Sequence, residues 1–183
     1  MIHKAPQLFV VISGIPGSGK TTLGRKLAEA LRLPFYDKDD ILDGLFEGEG
    51  IGDAAWRKKL SRKSDEELVR LVEASAGGVL VSFWQTEQTG KESGTPTEWI
   101  RELPGKVLEV HCVCDPMLAA TRFNERRRHA GHLDRNKPVV DATEFRRLAS
   151  AGPLGLGEVT VIDTSGAYDL ETVAAGIRTK VDG

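Results

Sequence analysis

Hydrophobic positions along this chain follow two spacings, and the two alternate. Residues 8–13, LFVVIS, form an uncharged run with three β-branched residues in succession, the pattern of a strand buried on both faces. After a glycine-rich bend, Leu23, Leu27, Ala30 and Leu31 recur at helical spacing, which predicts a helix opening at Ser18 or Gly19 and running through Leu31. A short strand at 33–36 follows, then a helix through Phe46 that Asp39 or Asp40 is placed to cap. Residues 54–76 read as a long amphipathic helix with Leu60, Leu68, Leu71 and Val72 on its apolar face, stopped by Gly77 and Gly78. Strands are predicted at 79–84, 107–114 and 159–162. Between and after them come a helix begun by Asp115 and Pro116, a short helix at 143–149 and a closing helix at 170–181. Strands alternating with helices imply a parallel sheet covered on both faces, with ligands at the carboxyl ends of its strands. That rule directs attention to residues 14–22, 37–40, 84–87, Asp115 and 163–166.

Composition narrows this picture in three ways. A chain of 183 residues, 40% hydrophobic and 28% charged, is the size of one globular domain with a sizeable core. A formal net charge of −2 provides no global basic field for nucleic acid or an acidic membrane. No run approaches the roughly 18 apolar residues of a membrane span, and the apolar run after residues 1–7 is too short for a signal peptide. Cys112 and Cys114, two apart on a strand, share a face without an easy bridge between them. They read as reduced core thiols in a cytoplasmic protein.

The bend itself carries the chemistry. Gly14-Ile-Pro-Gly-Ser-Gly-Lys20-Thr21 fits G-x-x-x-x-G-K-[ST] at every fixed position, between a buried strand and a helix. Glycines allow the backbone N–H groups to turn inward, and the helix that follows points its positive end at an anion. Gly14, Pro16, Gly17, Ser18, Gly19, Lys20, Thr21 and Thr22 are therefore expected to hold the phosphates of a nucleotide. Lys20 would reach the β- and γ-phosphates, and Thr21 would ligate Mg²⁺.

The chain resembles the P-loop kinase superfamily. Its continuation, PFYDKDDIL, looks like the small kinases that include shikimate and gluconate kinases and polynucleotide 5′-kinase domains. It is most similar to zeta-toxin-like, AAA_33-type ATP-binding proteins. They share K-D-D-I after the second strand, S-F-W after the third, and C-D-P…R-F…R-H-x-G-H-x-D, here Cys114 to Pro116 and Arg122 to Asp134. The resemblance implies one domain over 1–183, a three-layer α/β/α sandwich whose five parallel strands run 2-3-1-4-5. An arginine-rich lid is expected at about 124–142. Its implied activity is ATP- and Mg²⁺-dependent transfer of a γ-phosphate to a hydroxyl of a small molecule. A polynucleotide 5′ end, or a nucleotide-dependent regulator without an acceptor, is the alternative.

Carried over residue by residue, the resemblance makes Asp39 the base for the acceptor hydroxyl and Asp37 a partner of Mg²⁺, leaving Asp40 as a cap. Without the glycine-rich bend, the three acids would fit a solvated, helix-capping turn better. Ser82 stands where many P-loop proteins carry a Walker-B acid, which leaves Thr21 and Asp37 with more of the metal work. Arg122 and Arg126, four apart on one predicted helix face, are expected to meet the transferring phosphoryl group, with Arg128 third. His129 and His132 read as lid structure or acceptor contact rather than metal ligands. On the acceptor side stand Arg57, Trp84 and Gln85, although Phe83 and Trp84 fit a core under the lid equally. Thr164 lies in a loop that resembling kinases place near adenine.

Overall fold

The computed structural model describes residues 7–90, 93–134 and 138–182. Five parallel strands form one sheet: β1 (Leu8–Gly14), β2 (Phe35–Asp37), β3 (Gly77–Val81), β4 (Lys106–Val113) and β5 (Glu158–Asp163). Their order is β2-β3-β1-β4-β5, as expected. The helices are α1 (Lys20–Leu31), α2 (Lys38–Glu49), α3 (Ala54–Glu73), α4 (Pro116–Glu125), α5 (Ala142–Ala149) and α6 (Leu170–Asp182).

β1 is central because both of its faces are apolar. Val10 and Ile12 meet Leu23 and Leu27 of α1 and Val173, Ala174 and Ile177 of α6. Phe9 and Val11 turn the other way onto Leu68 and Val72 of α3. Each such fully buried side chain contributes about 2 kcal/mol over leaving it exposed. Two smaller clusters stand away from these layers. Ile15, Cys114, Ala119, Ala120 and Phe145 pack α4 and α5 against the glycine bend, while Leu42, Phe46 and Leu60 join α2 to α3.

Three boundaries differ from the expectation, each for a local reason. The glycine pair belongs to β3 and does not stop α3, which ends at Glu73. A Cβ on Gly77 would lie 2.5 Å from the Leu8 carbonyl oxygen, and one on Gly78 would lie 2.6 Å from the Tyr36 ring. Close strand neighbours, rather than a helix end, call for glycine there. α2 is capped by Asp37, whose side chain accepts the Asp39 N–H, and Asp40 pairs with Arg25 instead. Finally, α4 ends at Glu125. Arg126 has φ −62° and ψ 143°, so Arg122 and Arg126 do not share a helix face.

Candidate active site

The bend between β1 and α1 owes its shape to glycines at positive φ: 132° at Gly14, 74° at Gly17 and 85° at Gly19. A Cβ would lie 2.5 Å from the Cys112 carbonyl oxygen at Gly14, and 2.2 Å from that of Ala119 at Gly17. At Gly19 a Cβ would meet nothing within 4 Å, so conformation alone selects glycine. Gly19 caps α1 without a side-chain hydrogen bond, and the first turn holds no acid. The positive helix end and its N–H groups are thus left for an anion. Pro16 lies half-buried in the bend and Thr22 is exposed on α1, while Ser18 is buried with no partner for its Oγ.

Lys20 is buried, and its Nζ donates to the Gly14 and Ile15 carbonyl oxygens, both at 2.8 Å. Burial pulls its ammonium down to about 8, against the opposing charges of Asp37 and Asp39. The exposed Thr21 donates its hydroxyl to Asp37 Oδ2 at 2.8 Å, while Asp37 Oδ1 accepts the Asp39 N–H at 2.9 Å. Burial pushes the Asp37 carboxyl up to about 6, with Asp39 and Asp40 adding to the shift and its two hydrogen bonds opposing it. A hydroxyl beside a carboxylate is an all-oxygen donor pair, which suits Mg²⁺ completed by phosphate oxygens and water. Among the described residues, no group of three or more His, Cys, Asp or Glu side chains is placed to hold a metal.

Asp39 stands two residues on. Its Oδ2 accepts from Arg128 Nη1 at 2.8 Å, and Arg128 gives Nε and Nη2 to Asp134 at 2.8 and 2.9 Å. Burial pushes the Asp39 carboxyl up, but the charges of Arg128, His132 and Arg126 outweigh it and hold Asp39 below its ordinary value. Arg57, half-buried on α3, faces the same group of charges. Burial, then Arg128, pulls its guanidinium down, and its Nε is buried without a hydrogen-bond partner.

Arg126 lies 3.8 Å over the Phe123 ring, with Nε buried, unbonded and 4.0 Å from Asp134. Burial, then Arg128, pulls it down to about 10, and its charge reaches Lys20. Arg122 faces elsewhere: Nη1 donates to the Thr164 carbonyl at 3.1 Å and Nη2 to that of Ser165 at 3.5 Å. Two further candidates are engaged within the protein. Trp84 is buried in the core, its indole N–H donating to the Ile12 carbonyl at 2.8 Å, and Gln85 donates to the Gly90 carbonyl at 3.0 Å. Thr164 is buried too, its Oγ1 bonded to the Ser18 carbonyl at 2.6 Å and the Val113 carbonyl at 2.9 Å. It braces the glycine bend, with its hydroxyl and N–H both engaged inside the protein.

The histidine motif docks the segment after α4 onto α2. His132 is fully buried with Nε2 2.7 Å from Asp43 Oδ1, and His129 stacks on Phe46 at 5.4 Å between centroids. A Cβ on Gly131 would lie 2.4 Å from the Phe46 ring, so only glycine lets the segment approach so closely. Sequence reasoning missed Asp43 and Phe46, because nothing near them in the chain points to partners more than eighty residues away.

The parallel 2-3-1-4-5 sheet and the glycine-rich bend between β1 and α1 are those of the P-loop kinase fold. Within that class the chain belongs to the cytidylate kinase-like family, whose model matches residues 9–115. It is 36% identical over 94 residues to a shikimate kinase of Paracidovorax citrulli, an overlap covering 43% of this chain and 48% of that one. The chain spans about half the length of the curated relatives it matches. A crystal structure assigned as a kinase in Chloroflexus aurantiacus is similar over 96% of this chain and 98% of that one, with a TM-score of 0.73 and 22% identity. A gluconokinase from Sinorhizobium meliloti gives 0.54 and 16%, over 98% and 96% of the two chains. These structures share the fold.

Proposed function

We propose that this chain is an ATP- and Mg²⁺-dependent phosphotransferase that moves the γ-phosphoryl group of ATP to a hydroxyl of a small molecule. Residues 1–183 act as one domain, with about 124–142 as its lid. The observation that carries this reading is Asp39, an ionised carboxylate held by Arg128 two residues from the Thr21–Asp37 pair. Thr21 and Asp37 would hold Mg²⁺, which when bound neutralises phosphate charge and orients the phosphoryl group.

Lys20 and the N–H groups opening α1 bind the phosphates. Asp39 orients the acceptor hydroxyl and takes its proton. The buried and unbonded Nε atoms of Arg57 and Arg126 support an anion between them. Arg126 suits the phosphoryl group as charge spreads over its oxygens, and Arg57 suits a negative group of the acceptor. Arg122 positions the loop at Thr164. Both cysteines are free, which supports a cytoplasmic home, and no helix among the described residues is long and apolar enough to cross a membrane.

The test is γ-labelled ATP incubated with the protein and a metabolite extract. A labelled small molecule is expected, dependent on Mg²⁺ and lost in Lys20→Ala. Asp39→Asn is expected to slow labelling by about a hundredfold, the scale of a lost general base. ATP turnover that labels no extract component, with nucleotide binding intact, would overturn the proposal.

A further inference from the structure

Beside the phosphate-binding bend lies a buried polar chain that the proposed chemistry leaves unused. β1 and β4 pair with Ser13 opposite His111, and Glu109 sits two residues back on the same face of β4. Glu109 is fully buried, and its carboxylate accepts hydrogen bonds from three groups. Oε1 accepts from Ser13 Oγ at 2.5 Å and from the Leu154 N–H at 2.8 Å, and Oε2 accepts from the Leu156 N–H at 3.1 Å. Ser13 has one hydroxyl proton, and it goes to Glu109. Its 2.8 Å contact with His111 Nδ1 must therefore run the other way, with Nδ1–H donating to the hydroxyl oxygen.

A neutral imidazole carries one ring proton, so Nε2 is left as a bare acceptor. Burial pulls His111 below its ordinary value, with Glu109 opposing and Lys20 adding, which keeps the ring neutral at pH 7. His111 lines a cavity of about 30 Å³ with Gly14, Ile15, Phe83, Thr86, Leu148 and Leu154. That volume takes one or two water-sized groups, such as a hydroxyl on a short carbon arm. The same carboxylate that orders Ser13 also fixes the Leu154 wall of this cavity.

We propose that His111 recognises a second hydroxyl of the acceptor, distinct from the one Asp39 orients, by accepting its proton in a hydrogen bond at Nε2. Ser13 and Glu109 are positioning residues that set the tautomer. The acceptor class is then a small polyol or hydroxy acid. This inference rests on the kinase reading above.

Two measurements test it on the full chain. Nitrogen-15 NMR of histidine-labelled protein at pH 7, with His111 assigned by its loss in His111→Phe, is expected to show Nδ1 protonated and Nε2 bare. Ser13→Ala is expected to release the Nε2–H tautomer. An Nε2–H tautomer or a protonated ring in the wild type overturns the inference, even if His111→Phe does not fold and assignment passes to His111→Gln. In the extract assay, His111→Phe is expected to raise the extract concentration giving half-maximal labelling about tenfold, the loss of one hydrogen bond, with maximal rate and ATP affinity little changed. His111→Gln, which can present an amide oxygen, is expected to recover part of that loss. An unchanged half-maximal concentration in both variants sinks this inference alone. An extract in which the wild type labels nothing removes the kinase reading and this inference together.

Discussion

Asp37 uses its two oxygens differently, and a single substitution separates them. Oδ1 caps α2 and Oδ2 takes the Thr21 hydroxyl. Asparagine caps a helix about as well as aspartate, so Asp37→Asn is expected to keep the fold but to raise the Mg²⁺ needed for half-maximal turnover about tenfold or more. Its carboxyl rises from 3.8 to about 6 on folding, so the folded state holds the proton longer than the unfolded one. The wild type is therefore expected to lose stability relative to Asp37→Asn as pH rises from about 4 to 6, with no further change above, which melts across that range would show. Cys112 offers a simpler check. Burial pushes its thiol up to about 12, so a thiolate-trapping reagent at pH 8 is expected to leave it unmodified until the chain is unfolded. That Thr21 and Asp37 lie at the carboxyl ends of strands was legible in the sequence, because one follows the bend after β1 and the other closes β2. The Asp39–Arg128 pair was not. Four arginines crowd the end of α4, and only packing decides which one crosses to a carboxylate 89 residues away.

At the scale of elements, the segment from Arg126 to Asp134 is held to α2 by shape as much as by charge. Gly131→Ala would push a methyl into the Phe46 ring, a clash expected to destabilise the protein by about 1–3 kcal/mol and to slow turnover as Arg126 and Arg128 shift with the segment. Phe46→Leu shortens the obstructing side chain. The double variant is therefore expected to lose less stability than the two single losses added together, which denaturant titrations of all three would measure. Strand and helix identity was readable from periodicity, since β1 is apolar on both faces and α1 on one. Ends were harder. Helical spacing carried Arg126 onto α4, yet the helix closes with the Arg126 N–H on the Arg122 carbonyl and the chain then extends. Gly77 and Gly78 gave a helix-stop signal because the sequence does not show how near Leu8 and Tyr36 will come.

For the molecule as a whole, alternating strands and helices made a parallel sheet legible, and the resemblance to P-loop kinases supplied its 2-3-1-4-5 order. The tie between its two ends left no such trace. Thr164, just beyond β5, bonds both the Ser18 carbonyl in the glycine bend and the Val113 carbonyl at the end of β4. Thr164→Val keeps the side-chain shape while removing the hydroxyl, and is expected to destabilise the fold by about 1–3 kcal/mol. ATP affinity is expected to fall with it, because the bend loses its brace; calorimetric titration of both proteins would read this. The same contact bears on how the protein is made. A ribosome releases the whole glycine bend long before Thr164, which lies 146 residues further along than Ser18. A nascent chain at that stage spells out every phosphate-binding residue yet lacks the brace that steadies their arrangement. Nucleotide capture is therefore expected only once β5 has been made, and a chain halted before β5 is expected to have little hold on ATP, which nucleotide titration of a chain ending at residue 157 would read.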